Sequence, residues 1–222
     1  MADPSYISNG VLEDGEAWVG IATTDVDPAA SNINWTNPSN GSSLDWSQFM
    51  DLIIVLYCHG TSASGASNVE MRLGNGTDAV ISSASYARQY LKGDGANDSA
   101  TSSTGDAFFL GDTPTDNNDA SAGDTTFSAH LITLFDINSG KYKSMSCQSA
   151  SDRDGAGNVE LWAGTLTEQF ALGEIYLQMD GGSNFAVGAY ASLFGVLPRM
   201  VAGWPLSKQS KPCIWRWTTW GL

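Results

Sequence analysis

The stretch Phe170–Pro198, FALGEIYLQMDGGSNFAVGAYASLFGVLP, decides the fold. Ile175, Leu177 and Met179 alternate with Tyr176, Gln178 and Asp180, which is the period of a half-buried strand. Asp180-Gly181-Gly182-Ser183-Asn184 has the composition of a turn, because glycine reaches positive φ without steric cost. Phe185, Val187, Tyr190, Leu193, Phe194 and Val196 then form a second apolar run, closed by Pro198. The reading is a hairpin whose second arm is the last long strand of a β-sandwich. Gly188, Ala189, Ala191 and Ser192 mark a bend or bulge within it.

The chain on either side repeats the pattern. DLIIVLYCHG (51–60) is a continuous apolar run rich in branched residues, the signature of a strand covered on both faces. Val69, Met71 and Leu73 alternate with Glu70 and Arg72, and the segments 16–25, 86–91, 125–137, 142–147 and 159–162 also read as strands. Asn138-Ser139-Gly140 is a hairpin turn signal. Asp27–Ser43 and Lys92–Asp124 read as long polar loops, the second held only by Phe108, Phe109 and Leu110. No long window shows a 3.6-residue apolar period. Many short strands divided by turn signals predict an all-β antiparallel sandwich. The expected organisation is an N-terminal arm with a first strand (1–43), a sandwich domain (44–198) and a C-terminal segment (199–222).

Of the 222 residues, 42% are hydrophobic but only 15% are charged, below the roughly 25% of an average soluble chain. The polar surface must therefore come from Ser, Thr, Asn and Gly. The net charge of −14 repels a nucleic-acid backbone. Neither a secretory leader nor a membrane-length apolar run is read in the sequence. The three cysteines, Cys58, Cys147 and Cys213, fit neither a disulfide framework nor a zinc site by number or spacing.

Several groups invite a chemical reading. Asp94, Asp98, Asp106, Asp112, Asp116, Asp119 and Asp124 would suit calcium, or serve as turn formers. Asp152, Asp154 and Gly157 resemble a calcium loop, but Ala163 stands where the bidentate Glu belongs. His59 and His130 have no ligand-spaced partner. Glu160, Glu168 and Glu174 would supply a glycosidase pair, or lie solvated on strands. No phosphate loop, dinucleotide fingerprint or serine-hydrolase motif is present. The expectation is a non-enzymatic protein without metal or cofactor.

The C-terminal segment differs in kind. No Asp or Glu follows Asp180, and four of the eight Trp residues lie beyond residue 203. Trp204, Lys208, Lys211, Trp215, Arg216, Trp217 and Trp220 are the expected interface residues, since Trp and Arg dominate binding energy at interfaces; the alternative is that the segment packs on its own domain as a final strand.

Taken together, DLIIVLYCHG (51–60), VEMRLGN (69–75), SYARQYL (85–91) and EIYLQMDGGSNFAVGAYASLFGV (174–196) resemble the jelly-roll virion structural proteins of tailed phages of marine and cyanobacterial type. The closing motif is carried by Asn184, Phe185, Gly188, Ser192, Leu193, Phe194, Gly195 and Val196. The resemblance is strongest to capsid decoration or cement proteins. It implies a jelly roll with extended arms, a trimer, the major capsid protein as partner, and a place in the virion after assembly in the host cytoplasm. The alternative it leaves is a tail-associated receptor- or carbohydrate-binding module. The Trp-rich segment lies outside the pattern.

Overall fold

The computed structural model describes residues 7–8, 11–12, 18–37, 45–62, 66–77, 80–115, 126–153 and 157–197. The chain divides into two units, Trp18–Leu197 and a second made of Met1–Ala17 with Pro198–Leu222. In the second, strands β1 (Ile7–Ser8) and β2 (Val11–Leu12) pair antiparallel.

Trp18–Leu197 folds into two antiparallel sheets. Its strands are β3 (Trp18–Asp25), β4 (Asn32–Thr36), β5 (Asp51–Cys58), β6 (Ala66–Gly74), β7 (Tyr86–Gly93), β8 (Asp98–Gly105) and β9 (Phe108–Pro114). There follow β10 (Ser128–Phe135), β11 (Lys143–Ser151), β12 (Asn158–Leu166), β13 (Glu174–Met179) and β14 (Tyr190–Val196). The first sheet has the order β3-β14-β5-β10-β11-β12-β7-β8 and the second β4-β13-β6-β9. Set β7, β8, β11 and β12 aside, and the remaining eight pair as first–eighth–third–sixth and second–seventh–fourth–fifth. That wrapping is a jelly roll. The four extra strands are two insertions, both added to the first sheet beyond β10.

The stretch 170–198 is therefore not a hairpin. β13 pairs with β4 and β6 in one sheet, and β14 with β3 and β5 in the other. Its turn crosses between sheets: Gly181 and Gly182 take φ of 70° and 77°, and Phe185 bridges Ala30 and Gly60 before β14 begins. The bend expected at Gly188–Ser192 falls before β14, where Gly188 takes φ 87°. Within Tyr190–Val196 the strand runs in unbroken register with β5, and the shift against β3 leaves Ile21 of β3 as the extra residue. Two stretches read as loops contain strands. Asp27–Ser43 holds β4, whose Ile33 and Trp35 point into the core. Lys92–Asp124 holds β8 and β9. With β3 and β4 in the sheets, residues before 44 supply two strands of the sandwich.

The core lies between the sheets. Leu52, Ile54 and Leu56 of β5 face Met71, Leu73, Ile175 and Leu177 from the second sheet, all fully buried. Tyr86 ties the two together. Its ring meets Phe108 edge-on at 4.8 Å, and its hydroxyl accepts from Leu73 N at 3.0 Å and donates to Ile81 O at 2.9 Å. Tyr86→Phe keeps the ring and strips both hydrogen bonds from a fully buried site. The expected cost is about 1–3 kcal/mol, read as a lower urea midpoint at unchanged m-value.

Candidate functional site

Strand alternation decides what β7, β10, β11 and β12 turn inward, and the inward set is unusually polar. Lys92 on β7, Asp112 on β9, and Asn158, Glu160 and Trp162 on β12 converge. The Lys92 ammonium contacts Asp112 Oδ2 and lies 3.3 Å from Glu160 Oε1. Asn158 Nδ2 donates to Asp112 Oδ2 at 2.9 Å, and Trp162 Nε1 donates to Glu160 Oε2 at 2.6 Å. Burial opposes the Lys92 charge, but the hydrogen bond and charge of Asp112, with Glu160 behind it, more than offset this and hold the ammonium above its ordinary pKa. Gly111 makes room for this packing. It sits at φ 117°, and a Cβ there would fall 2.1 Å from Ser149 Oγ.

Beside this cluster, His130 is 2% exposed and Ser128 1%. His130 Nδ1 faces Leu110 O at 3.0 Å, and because a carbonyl only accepts, Nδ1 carries the proton. Nε2 then accepts from Ser128 Oγ at 2.8 Å. Ser128 also lies 2.7 Å from Thr113 Oγ1 and 3.3 Å from Cys58 Sγ. A serine held by a histidine has the form of a nucleophile and its base, but both side chains of this pair are buried inside the sandwich. Burial drives the His130 pKa down to about 4 and pushes the Cys58 thiol up to about 11. Cys147 is raised in the same way. All three are neutral at pH 7, and their role is to satisfy interior polar atoms.

Most of the remaining candidates are also engaged, while Asp98 lies exposed at the start of β8. His59 Nδ1 donates to Thr126 O at 2.7 Å, and its ring packs 5.8 Å from Phe127. Glu168 accepts from Ser85 Oγ and Glu174 from Asn34 Nδ2. Glu160 is not a solvated strand residue but a buried ion-pair member. Asp94 caps its own turn through Ala96 N and Asn97 N, and Asp106 pairs with Arg72 at 2.8 Å. Among the described residues, no three His, Cys, Asp or Glu side chains gather as metal ligands would. Asp116, Asp119, Asp124 and Asp154 lie outside the described residues. So do all the expected interface residues, Trp204, Lys208, Lys211, Trp215, Arg216, Trp217 and Trp220.

What sequence reading did not locate is the outer face of the first sheet. The strands that turn polar groups inward turn apolar ones outward: Val159 is 67% exposed, Leu161 45%, Leu91 58% and Leu131 40%. Tyr57 and Tyr190 lie directly opposite each other on the same face and are also exposed. Cross-strand register places Ser192, Val55, Leu131, Gln148, Leu161 and Leu91 in one row, with Phe194, Ile53, Thr133, Ser146, Ala163 and Gln89 beside it. Neither row contains a charge. At the far end an open groove of about 700 Å³ is lined by Gln89, Ser102, Ser103, Thr104, Ser144 and Thr165 among others.

The comparisons are silent. No family model, curated protein or solved structure matches this chain.

Proposed function

We propose that this protein is a non-enzymatic structural component of a phage virion, one that decorates or cements the capsid shell as a homo-oligomer, with a trimer the expected form. The outer face of the first sheet carries the reading. On a chain of charge −14, this face has two uncharged rows and a run of exposed Leu, Val and Tyr side chains. An exposed apolar patch on an otherwise polar surface marks a place where another protein docks. The jelly roll itself is shared by capsid proteins, lectins and enzymes, so it supports the reading only by analogy. The resemblance of 51–60, 69–75, 85–91 and 174–196 to phage virion proteins points the same way, with the major capsid protein as partner and the virion as location.

The groove favours a second reading, a tail-associated receptor- or carbohydrate-binding module, because its hydroxyl and amide groups would suit a glycan. Sedimentation separates the two. The purified protein is expected to co-sediment with empty heads, and Leu161→Asp is expected to abolish this while shifting stability by less than about 0.5 kcal/mol, as surface substitutions do. Co-sedimentation with tails or host cells instead, unaffected by Leu161→Asp, would favour the adhesin and overturn the cement reading.

A further inference from the structure

A sheet edge presents a row of unpaired backbone N–H and C=O groups, and proteins that remain apart blunt such edges. Among the described residues this sandwich has four: β3 and β8 in the first sheet, β4 and β9 in the second. Three are blunted. β4 is only five residues long. β3 carries a register shift against β14. β9 carries one against β6, with Gly111 at φ 117° and Pro114 at its end. Bulges twist an edge away from an incoming strand, and proline withholds a donor. β8 has none of these guards. Its eight residues, DSATSSTG, run in unbroken register with β7 and contain no Lys and no Pro. Every residue from Asp98 to Thr104 is exposed, so the strand buries no side chain in its own core.

We propose that β8 pairs with β8 of a second copy, antiparallel, about a two-fold axis normal to the sheet, joining the two first sheets into one. The occupant is a second copy because the edge is complementary to itself. Two chains of charge −14 repel unless they meet where charge is absent, and the only charge on β8 is Asp98 at one end. A two-fold antiparallel pair sets one residue opposite itself. Centring on Thr101 puts Asp98 of one protomer opposite Thr104 of its partner and Ser99 opposite Ser103. Centring on Ser102 would put Asp98 against Asp106, and a parallel in-register pair would put Asp98 against Asp98. The Thr101 register avoids both clashes and forms Thr–Thr and Ser–Ser pairs, which are favourable across strands. The axis also keeps both apolar outer faces on one side of the joined sheet. The pairing closes a dimer, or joins two trimers where the trimer proposed above also forms.

The test uses the full-length chain, purified without capsid, so its outcome is separate from that of the virion reading. Light scattering should give a mass of two or six chains. Thr101→Lys sets two ammonium groups opposite each other and should give one or three, with circular dichroism and Tm unchanged. In a Cys213→Ser background, Thr101→Cys should cross-link two chains on oxidation with oxidised glutathione. Opposite Cα atoms in antiparallel strands lie about 4.5–5.5 Å apart, within disulfide reach. Ser103→Cys faces Ser99 of the partner subunit rather than itself and should not cross-link. A wild-type mass of one or three chains, a mass that Thr101→Lys leaves unchanged, or equal cross-linking by the two cysteine variants would overturn the pairing.

Discussion

Replacing Lys92 by methionine is expected to destabilise the protein by about 2–4 kcal/mol at neutral pH. Removing one member of a buried ion pair typically costs about 3–5 kcal/mol, because the other charge is left without compensation. Here Lys92 is the cation between Asp112 and Glu160, whose side chain is 1% exposed. The lysine itself retains 27% exposure, so water screens part of the interaction and the expected cost falls below the fully buried range. The double variant Lys92→Met with Glu160→Gln should recover more than half of the loss. Glutamine keeps an acceptor for Trp162 Nε1 and removes the stranded charge, and Asp112 keeps its bond from Asn158. Urea unfolding of the three proteins measures both numbers. A loss below about 0.5 kcal/mol for Lys92→Met would mean that the cluster behaves as a surface pair.

The same cluster shows where sequence reading stops. β5 was legible as a strand but is not covered on both faces: Leu52, Ile54 and Leu56 point inward, while Tyr57 is exposed on the outer face. β13 was legible because its side chains obey one rule, apolar inward: Ile175, Leu177 and Met179. β12 breaks it. Asn158 and Glu160 point in while Val159 and Leu161 point out. Alternation gives the period but not its phase, and here the phase is set by pairing with the neighbouring β11 and, across a long sequence separation, with β7. The inversion produces both features that matter, a polar interior and an apolar exterior, so neither could be placed before the sheet was seen.

Other misreadings have equally local causes. A glycine turn after β13 looks the same whether the next strand returns to the same sheet or crosses to the other. What separates β13 from β14 is that β4 and β6 flank the former, and β3 and β5 the latter. β8 went unread because a strand exposed on both faces has no apolar alternation, only the Ser, Thr and Asp typical of loops. Lys92 and Asp112 fell in that same stretch, which hid their pairing with Glu160. The hairpin turn at Asn138-Ser139-Gly140, by contrast, was legible from composition alone, because Gly140 supplies the φ of 68° that the β10–β11 connection uses.

Acid should weaken this protein through His130, and the sign follows from its burial. An exposed histidine has a pKa near 6.5, whereas burial lowers that of His130 to about 4, against the weaker opposing effects of Leu110 O and the Asp112 charge. Between those values the unfolded chain binds a proton that the folded chain refuses. Stability is therefore full above about pH 6.5 and is lost as pH falls toward 4, at roughly 1.4 kcal/mol per unit for one proton. Integrated over the interval, the loss approaches about 3 kcal/mol. Glu70 works in the opposite sense: burial holds its carboxyl above the ordinary value, so it adds stability as pH falls. The measurement must cancel that contribution, and comparison with His130→Gln does so because Glu70 is common to both proteins. The variant starts less stable at pH 7.5, since glutamine fits the Leu110 and Ser128 partners less well, but it has no proton to take up. Wild type should then lose about 3 kcal/mol more than the variant between pH 7.5 and 4 in paired urea titrations. Parallel slopes in the two proteins would mean that His130 titrates alike in the folded and unfolded chains, and that the Ser128–His130–Leu110 network opens to water before the sandwich does.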